Sequence, residues 1–306
     1  MGKREETAVE RYQAAAAYLP SRLRKQAMSV SKWEMGQAEE FRLRTGRALS
    51  ILLPEGERAL SPVVEPEELE TLCDLATEFS RYAAAETLRE GYLSVRGGFR
   101  VGLCGTAVMK GGVNTNLKEL SSAVIRIARE KKGIGEAVAP RLFWEGRFQN
   151  TLLLSPPGGG KTTLLRDLVR CLSDGSREVP ALRVALIDER GEVAVMHQGH
   201  AQMDVGRQTD VLDACPKALG IPIVLRAMNP EIIALDEITV REDLQAASMA
   251  SGCGVGLLAT IHAGSVEELA EKPLYQDLLG RGIFRRAVRI LRKDGERCYE
   301  VEELPC

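Results

Sequence analysis

Hydrophobic and polar positions follow two different patterns along the chain. After about residue 144, short continuous apolar runs alternate with segments of helical periodicity. The apolar runs predict strands at residues 151–154, 184–187, 232–235 and 255–260. Continuous apolar strands separated by helices are typical of a parallel sheet covered on both faces. We therefore expect an α/β domain with a mainly parallel sheet over residues 146–306, ending in a hairpin at 284–291 and 297–301.

The first 145 residues instead mix short alternating strands with helices. The pattern predicts strands at 41–44 and 49–53, helices at 66–77 and 82–90, and a second strand pair at 92–96 and 99–109. Pro66 favours a helix start, and Gly97-Gly98 favours a two-residue hairpin turn. We expect a smaller α+β domain over residues 1–145, in front of the larger domain.

Composition narrows the class of protein. Hydrophobic residues are 44% and charged residues 27% of the chain, which is typical of a folded globular protein. The net charge of -2 gives no bulk attraction to nucleic acid or to an anionic membrane. The seven cysteines are scattered and form no C-x-x-C pair, which argues against a disulfide framework or a structural zinc site. No apolar run approaches the roughly 18 residues of a membrane helix, so we expect a cytoplasmic protein that reaches a membrane only through partners.

A glycine-rich loop between a strand and a helix is the clearest chemical motif. Such a loop turns backbone N–H groups toward a phosphate, and its lysine reaches the β- and γ-phosphates. We expect it to bind ATP, with Mg²⁺ on the hydroxyl of Thr162. Ser155 stands where glycine is usual, and a plain glycine-rich turn is the alternative. The predicted nucleotide-binding residues are Ser155, Pro156, Pro157, Gly158, Gly159, Gly160, Lys161, Thr162 and Thr163.

Polar residues follow three of the other predicted strands. Asp236 and Glu237 end the strand at 232–235, where Asp236 is expected to hold Mg²⁺ through water and Glu237 to polarise the attacking water. Glu189 follows the strand at 184–187 and is the second candidate for the water, although a surface charge cluster is the alternative. His262 follows the strand at 255–260 and is expected to sense the γ-phosphate or orient water. His197 and His200 have metal-like spacing without a third ligand, which favours a plain loop.

Several strings together resemble the stage III sporulation protein AA family, a branch of the secretion-ATPase superfamily of spore-forming bacteria. The resemblance covers nearly the whole chain. The most specific string is Thr-Asp-Val-Leu-Asp-Ala-Cys-Pro-Lys at 209–217, which has no generic structural explanation. The other strings that carry it lie at 101–108, 121–130, 155–168, 187–190 and 236–238.

The resemblance implies a RecA-like P-loop ATPase core that assembles into a homo-oligomeric ring, a hexamer by analogy. It implies a role in powering a secretion-like channel between mother cell and forespore, with the protein held by membrane proteins on the mother-cell side. By similarity, Asp188-Glu189 corresponds to the acidic box and residues 260–262 to the histidine box of secretion ATPases. In such rings a neighbour's arginine completes the site, for which Arg126 and Arg129 are the candidates, followed by Arg96, Arg100 and Arg207.

Two other functions are compatible with a P-loop. An ATP-dependent nucleic-acid-binding or remodelling protein would need a basic groove with exposed aromatics, whereas aromatics are only 5% of this chain. A small-molecule kinase would need a lid rich in arginines, which the segment between the acidic strands does not obviously supply. The sequence therefore favours the mechanochemical ATPase and argues against nucleic acid as a partner.

Overall fold

The chain divides into two compact units, residues 1–129 and 130–306. The structure is a computed structural model and describes residues 3–81, 85–127, 130–293 and 296–304. One large sheet organises each unit, an antiparallel sheet in the first and a mainly parallel sheet in the second. The predicted fold class, an α+β unit followed along the chain by an α/β core, is confirmed.

Within the described residues, the first unit packs five helices against a six-stranded sheet. The helices are α1 (Lys3–Ala16), α2 (Ser21–Ala27), α3 (Lys32–Gln37), α4 (Pro66–Ala76) and α5 (Ala85–Arg89). The strands are β1 (Glu40–Arg44), β2 (Ala48–Leu53), β3 (Gly56–Val63), β4 (Tyr92–Val95), β5 (Phe99–Lys110) and β6 (Val113–Arg126). Their order across the sheet is β3-β2-β1-β6-β5-β4.

Helix α4 forms where the sequence predicts it, and local chemistry explains its start. Pro66 occupies the first helical turn, where its missing N–H costs nothing. The backbone N–H of Glu65 donates to the carboxylate of Glu68 at 3.0 Å, which satisfies one of the free donors at the helix start. Leu69 and Leu72 then fall on one face and are fully buried. The neighbouring predicted helix at 82–90 is observed as α5, and its residues 82–84 lie outside the described part of the chain.

The turn between β4 and β5 differs from the prediction. Val95 pairs with Phe99, so three residues rather than two connect the strands. Gly97 and Gly98 have φ of 88° and 73°, which only glycine adopts without strain. The two glycines therefore mark the hairpin, but the loop also includes Arg96.

The second unit contains the remaining elements. Its strands are β7 (Phe143–Trp144), β8 (Arg147–Phe148), β9 (Thr151–Leu154), β10 (Val184–Asp188), β11 (Met196–His197), β12 (His200–Ala201), β13 (Thr209–Asp213), β14 (Ile232–Leu235), β15 (Gly256–Ile261), β16 (Arg286–Lys293) and β17 (Glu296–Glu303). Its helices are α6 (Lys161–Asp174), α7 (Lys217–Ala227), α8 (Arg241–Gly252), α9 (Val266–Glu271) and α10 (Pro273–Gly280). A short 3₁₀ helix spans Ala139–Leu142.

The main sheet of this unit has the strand order β13-β10-β14-β15-β9-β16-β17. All neighbours are parallel except β16 and β17, which form the predicted terminal hairpin. Each of the inner strands buries both faces, as the continuous apolar runs predict. In β9, Leu152 and Leu154 join one core with α7, α8, α9 and α10, whereas Leu153 joins a second core with α6. The sheet is thus covered by helices on both faces.

Two features of this unit escape the sequence pattern. Strand β13 was not predicted, because it lies at the sheet edge and its polar, partly exposed residues give no apolar run. The sequence pattern assigns the segment 130–145 to the first domain, but this segment lies in the second unit. Val138 and Leu142 are buried in the core of α6, and the N–H of Gly135 donates to the carboxylate of Asp167 at 2.7 Å.

No helix in the described ranges is both long and apolar enough to cross a membrane.

Candidate functional site

The glycine-rich loop leaves β9 and enters α6 at the carboxyl edge of the parallel sheet. Gly158 and Gly160 have φ of 72° and 104°, in the left-handed region that favours glycine. Ser155 is 1% exposed, and its hydroxyl fills the space beside Gly159, where a Cβ would lie 1.6 Å from Oγ. The serine therefore fits this loop because residue 159 has no side chain.

Lys161, the first residue of α6, lies under the loop with only 7% of its surface exposed. Its ammonium donates to the carbonyl oxygens of Ser155 and Pro156 at 2.7 and 3.1 Å. Nζ also lies 2.6 Å from Nδ1 of His262. Burial lowers the pKa of Lys161, and the carboxylates of the site oppose that shift. The lysine is held by neutral acceptors close to the backbone that would receive a phosphate.

His262 connects this lysine to Glu237. Since a lysine ammonium only donates, Nδ1 of His262 accepts from Lys161. Nε2 then carries the ring proton and lies 2.8 Å from Oε1 of Glu237. One ring thus joins the phosphate-loop cation to the carboxylate that follows β14.

Glu237 is held at both ends of its carboxylate and by its backbone. Oε2 accepts from Arg190 at 3.0 Å, while the Glu237 N–H donates to the hydroxyl of Thr260 at 2.8 Å. The φ of Glu237 is 55°, a left-handed conformation that costs a non-glycine residue about 1–3 kcal/mol. The surrounding hydrogen bonds fix this conformation and direct the carboxylate toward His262.

Asp236 lies between two hydroxyl groups. Thr260 donates to Oδ1 at 3.1 Å, and Thr162 Oγ1 lies 3.5 Å from Oδ2. Burial raises the pKa of Asp236 to about 6, and nearby carboxylates raise it further while the Thr260 hydrogen bond lowers it. A carboxylate in this environment is stabilised by any cation that binds beside it.

Asp188, the last residue of β10, has a structural role in the loop that follows. Its fully buried carboxylate accepts from the N–H groups of Glu192, Val193 and Ala194 at 2.9, 3.0 and 2.8 Å. Burial raises the pKa of Asp188, against those backbone hydrogen bonds. The side chain of Arg166 donates to two carbonyl oxygens of the same loop. These contacts fix residues 189–194 beside the site.

Glu189 and Glu237, the two candidates for orienting the water, have different partners. The carboxylate of Glu189 forms an ion pair with Lys217, the first residue of α7, which is 4% exposed. Glu237, in contrast, carries the contacts with His262 and Arg190. The lysine that ends the specific string at 209–217 therefore has a defined structural partner.

Two of the predicted trans arginines, Arg126 and Arg207, lie beside acidic side chains of their own units. Arg126 ends β6 in the first unit, where its 66% exposed side chain lies 3.6 Å from Glu40. Arg129 falls outside the described residues. Arg207 is held by Asp174 at 3.2 Å. A role for Arg126 or Arg129 across subunits stays a prediction.

Arg190 and Thr260 contact the predicted residues but were given no role of their own from the sequence. Strand register could have indicated their proximity to the site, because β14 and β15 are parallel with Leu235 opposite Ala259. Continuing that register by one residue places Thr260 beside Asp236. Arg190 follows the neighbouring strand β10 by two residues, at the same edge of the sheet.

Metal ligands are few in this site. No group of three or more His, Cys, Asp or Glu side chains that could hold a metal ion is present in the part of the chain that is described. His197 and His200 are cross-strand partners in the small β11–β12 hairpin. The hydroxyl of Thr162 and the carboxylate of Asp236 nevertheless suit Mg²⁺, which binds proteins through one or two oxygens and completes its shell with water and phosphate.

Two solved structures share the fold of this chain. The Legionella pneumophila ATPase DotB superposes with a TM-score of 0.57 at 14% identity, over 87% of this chain and 76% of DotB. The pilus retraction motor PilT, solved with bound ADP, superposes with a TM-score of 0.58 at 17% identity, over 87% of this chain and 79% of PilT. At these identities the likeness is one of fold.

Comparisons of sequence are more specific. Stage III sporulation protein AA of Bacillus subtilis (strain 168) is 34% identical over 280 residues, which are 92% of this chain and 91% of that protein. The family model described as sporulation stage III, protein AA matches residues 9–301. Because both matches span nearly the whole chain, the chain belongs to the sporulation stage III protein AA family.

Proposed function

We propose that this chain is a Mg²⁺-dependent ATPase that works as a ring and powers a secretion-like channel or assembly during sporulation. One observation carries the proposal. The glycine-rich loop, Lys161, His262 and Glu237 form a continuous set of contacts at the carboxyl edge of a parallel sheet. Ligands of open α/β sheets bind at that edge. The fold shared with DotB, named an ATPase, and with PilT, solved with ADP, supports the same reading.

Phosphate binding is the task of the loop and of α6. The left-handed glycines let successive backbone N–H groups face an anion, and the start of α6 adds the positive end of its dipole. Lys161 exchanges its carbonyl acceptors for the β- and γ-phosphate oxygens when the nucleotide binds. The partial burial of Lys161 strengthens its interaction with phosphate, because water screens it less.

Thr162 and Asp236 would hold Mg²⁺, Asp236 in part through water. The ion would supply positive charge that neutralises the β- and γ-phosphates. The crowding of Asp236 by other carboxylates favours a cation at this position.

Glu237 orients the water that attacks the γ-phosphate and takes up its proton. The hydrogen bonds from Arg190 and His262 hold its carboxylate in one orientation. His262 loses the donor on Nδ1 when Lys161 turns toward phosphate. The position of Glu237 thereby depends on the occupancy of the phosphate site, which is the sensing role expected of His262.

Membership of the sporulation family supports the biological part of the proposal. In this proposal the chain acts in the mother cell at the membrane facing the forespore, held there by partner proteins of the channel. A hexameric ring supplies the arginine that completes each site, with Arg126 and Arg129 as candidates. Nucleic acid is not a partner in this proposal.

The test is the rate of Mg-ATP hydrolysis per chain, measured against protein concentration. Lys161→Ala serves as the blank, and Lys110→Ala, at an exposed position of the first unit, is the matched control. A rate that rises with concentration, persists in the control and vanishes in the blank supports a ring with shared sites. A rate per chain that does not change with concentration but vanishes in Lys161→Ala overturns only the proposal that neighbouring subunits share the site. The same rate in wild type and Lys161→Ala overturns the ATPase assignment.

A further inference from the structure

The hairpin β16–β17 extends beyond the carboxyl edge of the sheet. Strand β16 runs parallel to β9, and their last paired residues are Arg289 and Leu154. The hairpin continues past this point, where Arg292 pairs with Arg297. This end of the hairpin therefore projects on the side where β9 gives way to the glycine-rich loop.

One face of this hairpin is directed at α6. Val288, Ile290 and Tyr299 pack in the core that includes the leucines of α6. Side chains alternate between the two faces of a strand, so Arg292 and Arg297 share the face of these three residues. Arg292 and Arg297 extend this face of the hairpin toward the start of α6.

Arg297 touches the loop directly. A Cβ built on Gly160 would lie 2.9 Å from Cζ of Arg297 and 3.0 Å from its Nε. Gly160 precedes Lys161 and belongs to the backbone that would receive the phosphates. The absence of a side chain at residue 160 is what allows the guanidinium to approach the loop.

The charges around Arg297 are not balanced within the described residues. Arg292 and Arg297 stand directly opposite each other, an arrangement that destabilises a pair of strands when the charges are alike. No carboxylate of the described chain forms an ion pair with either of them, whereas Arg286 on the same hairpin pairs with Glu303 at 3.1 Å. The Nε of Arg297 is buried and has no hydrogen-bond acceptor. Two neighbouring guanidinium groups without an ion-pair partner, one of them against the glycine-rich loop, suit an anion bound at this end of the hairpin.

We propose that Arg297 binds a phosphate group of the nucleotide held by its own chain, with Arg292 beside it. This inference rests on the proposed nucleotide site. A guanidinium offers several N–H donors in one plane and matches the oxygens of a phosphate better than a lysine does. The contact is intramolecular, and it is separate from any arginine that a neighbouring subunit contributes.

The experiment measures the Kd of a fluorescent ATP analogue and of ADP, together with thermal unfolding with and without Mg-ATP. The variants are Arg297→Gln, which removes the charge, and Arg297→Lys, which keeps it. Arg289→Gln is the matched control, because it removes the same charge from the opposite face of the hairpin. We expect Arg297→Gln to weaken binding about ten- to a hundredfold, the range for a hydrogen bond to a charged group. Arg297→Lys should recover part of that loss, and the control should bind like wild type.

Thermal unfolding separates phosphate binding from a structural role. Without nucleotide, Arg297→Gln should unfold at the same temperature as wild type or higher, since it relieves the repulsion with Arg292. With Mg-ATP, its stabilisation should be smaller than that of wild type. A lower unfolding temperature without nucleotide, with unchanged affinity, would mean that Arg297 only supports the loop and would overturn the inference.

Failure of the inference and failure of the proposed function give different results. If wild type binds ATP, Lys161→Ala does not and Arg297→Gln binds like wild type, the inference alone is overturned. If wild type and Lys161→Ala are equally unable to bind ATP, the proposed site itself is overturned, and the role of Arg297 with it.

Discussion

Nε2 of His262 lies 2.8 Å from Oε1 of Glu237, at the meeting point of two neighbouring parallel strands. The other nitrogen of the ring lies 2.6 Å from the ammonium of Lys161. A neutral imidazole can donate on one side and accept on the other, so a single residue links the phosphate-binding cation to the proposed water-orienting carboxylate. Neither an aliphatic nor a purely donating side chain could make both contacts.

Replacing His262 with alanine should uncouple these two groups. We expect kcat for ATP to fall about a hundredfold, the range for loss of one positioned acid–base group, while the Kd for ATP changes little. His200→Ala, at an exposed position in the β11–β12 hairpin, is the control. A loss of affinity as large as the loss of turnover would place His262 in phosphate binding instead.

Two carboxylates compete for the water-orienting role, and their partners differ. Glu237→Gln should bind ATP and lose turnover by about a hundredfold or more, because the amide cannot accept the proton. Glu189→Gln should keep most of its turnover and lose about 1–2 kcal/mol of unfolding free energy, since it leaves the buried Lys217 without its partner. Single-turnover hydrolysis and urea unfolding of both variants check this. The reverse pattern would assign the water to Glu189.

Thr260 is expected to orient the two acidic residues that follow β14, Asp236 and Glu237. Its fully buried hydroxyl donates to Asp236 and accepts from the N–H of Glu237. Thr260→Val keeps the shape but leaves that N–H without an acceptor, which should cost about 1–3 kcal/mol of unfolding free energy. Thr260→Ser keeps the hydroxyl and should lose less. A larger loss in Thr260→Ser than in Thr260→Val would show that the methyl group, not the hydroxyl, is what matters.

The pKa of Asp236 makes stability depend on pH. Its folded pKa of about 6 lies above its ordinary value of 3.8, so its contribution to stability is complete below about pH 4 and is lost as pH rises through 6. Asp236→Asn removes this penalty. In EDTA and without nucleotide, we expect the variant to gain about 2 kcal/mol relative to wild type between pH 4.5 and pH 8. Thermal unfolding at both pH values measures the difference, and a gain that is the same at both would contradict the shift.

Asp167 holds the segment 130–138 against α6 within the second unit. Its carboxylate is 3% exposed, accepts from the N–H of Gly135 and pairs with Arg170 at 2.7 Å. Asp167→Asn should cost about 3 kcal/mol of unfolding free energy, because it leaves the partly buried Arg170 with only the exposed Glu136 as a counter-charge. Asp174→Asn, at a more exposed pair with Arg207, should cost less than about 1 kcal/mol. Chemical unfolding of the two variants side by side measures the contrast, and similar costs would contradict it.

The sequence alone predicted the elements whose signal is local. The apolar strands that become β9, β10, β14 and β15 were visible because a strand buried on both faces needs a continuous apolar run. The glycine-rich loop was visible because positive φ and close approach to an anion both require glycine. The polar residues after each strand could be placed at one edge, since parallel strands all end on the same side of the sheet. Edge strand β13 was missed because a half-exposed strand carries no such run.

Tertiary structure decided which of those polar residues meet. Glu189 and Glu237 both follow apolar strands, and only the packing of α7, which brings Lys217 to Glu189, distinguishes them. Arg297 lies far from the loop in sequence and reaches Gly160 only because β16 lies beside β9 and its hairpin with β17 continues past their last paired residues. The pattern of the chain therefore determined the sheet and the loop, which depend on local periodicity and backbone freedom. The partners of each charge depended on contacts between distant segments, which no local pattern contains.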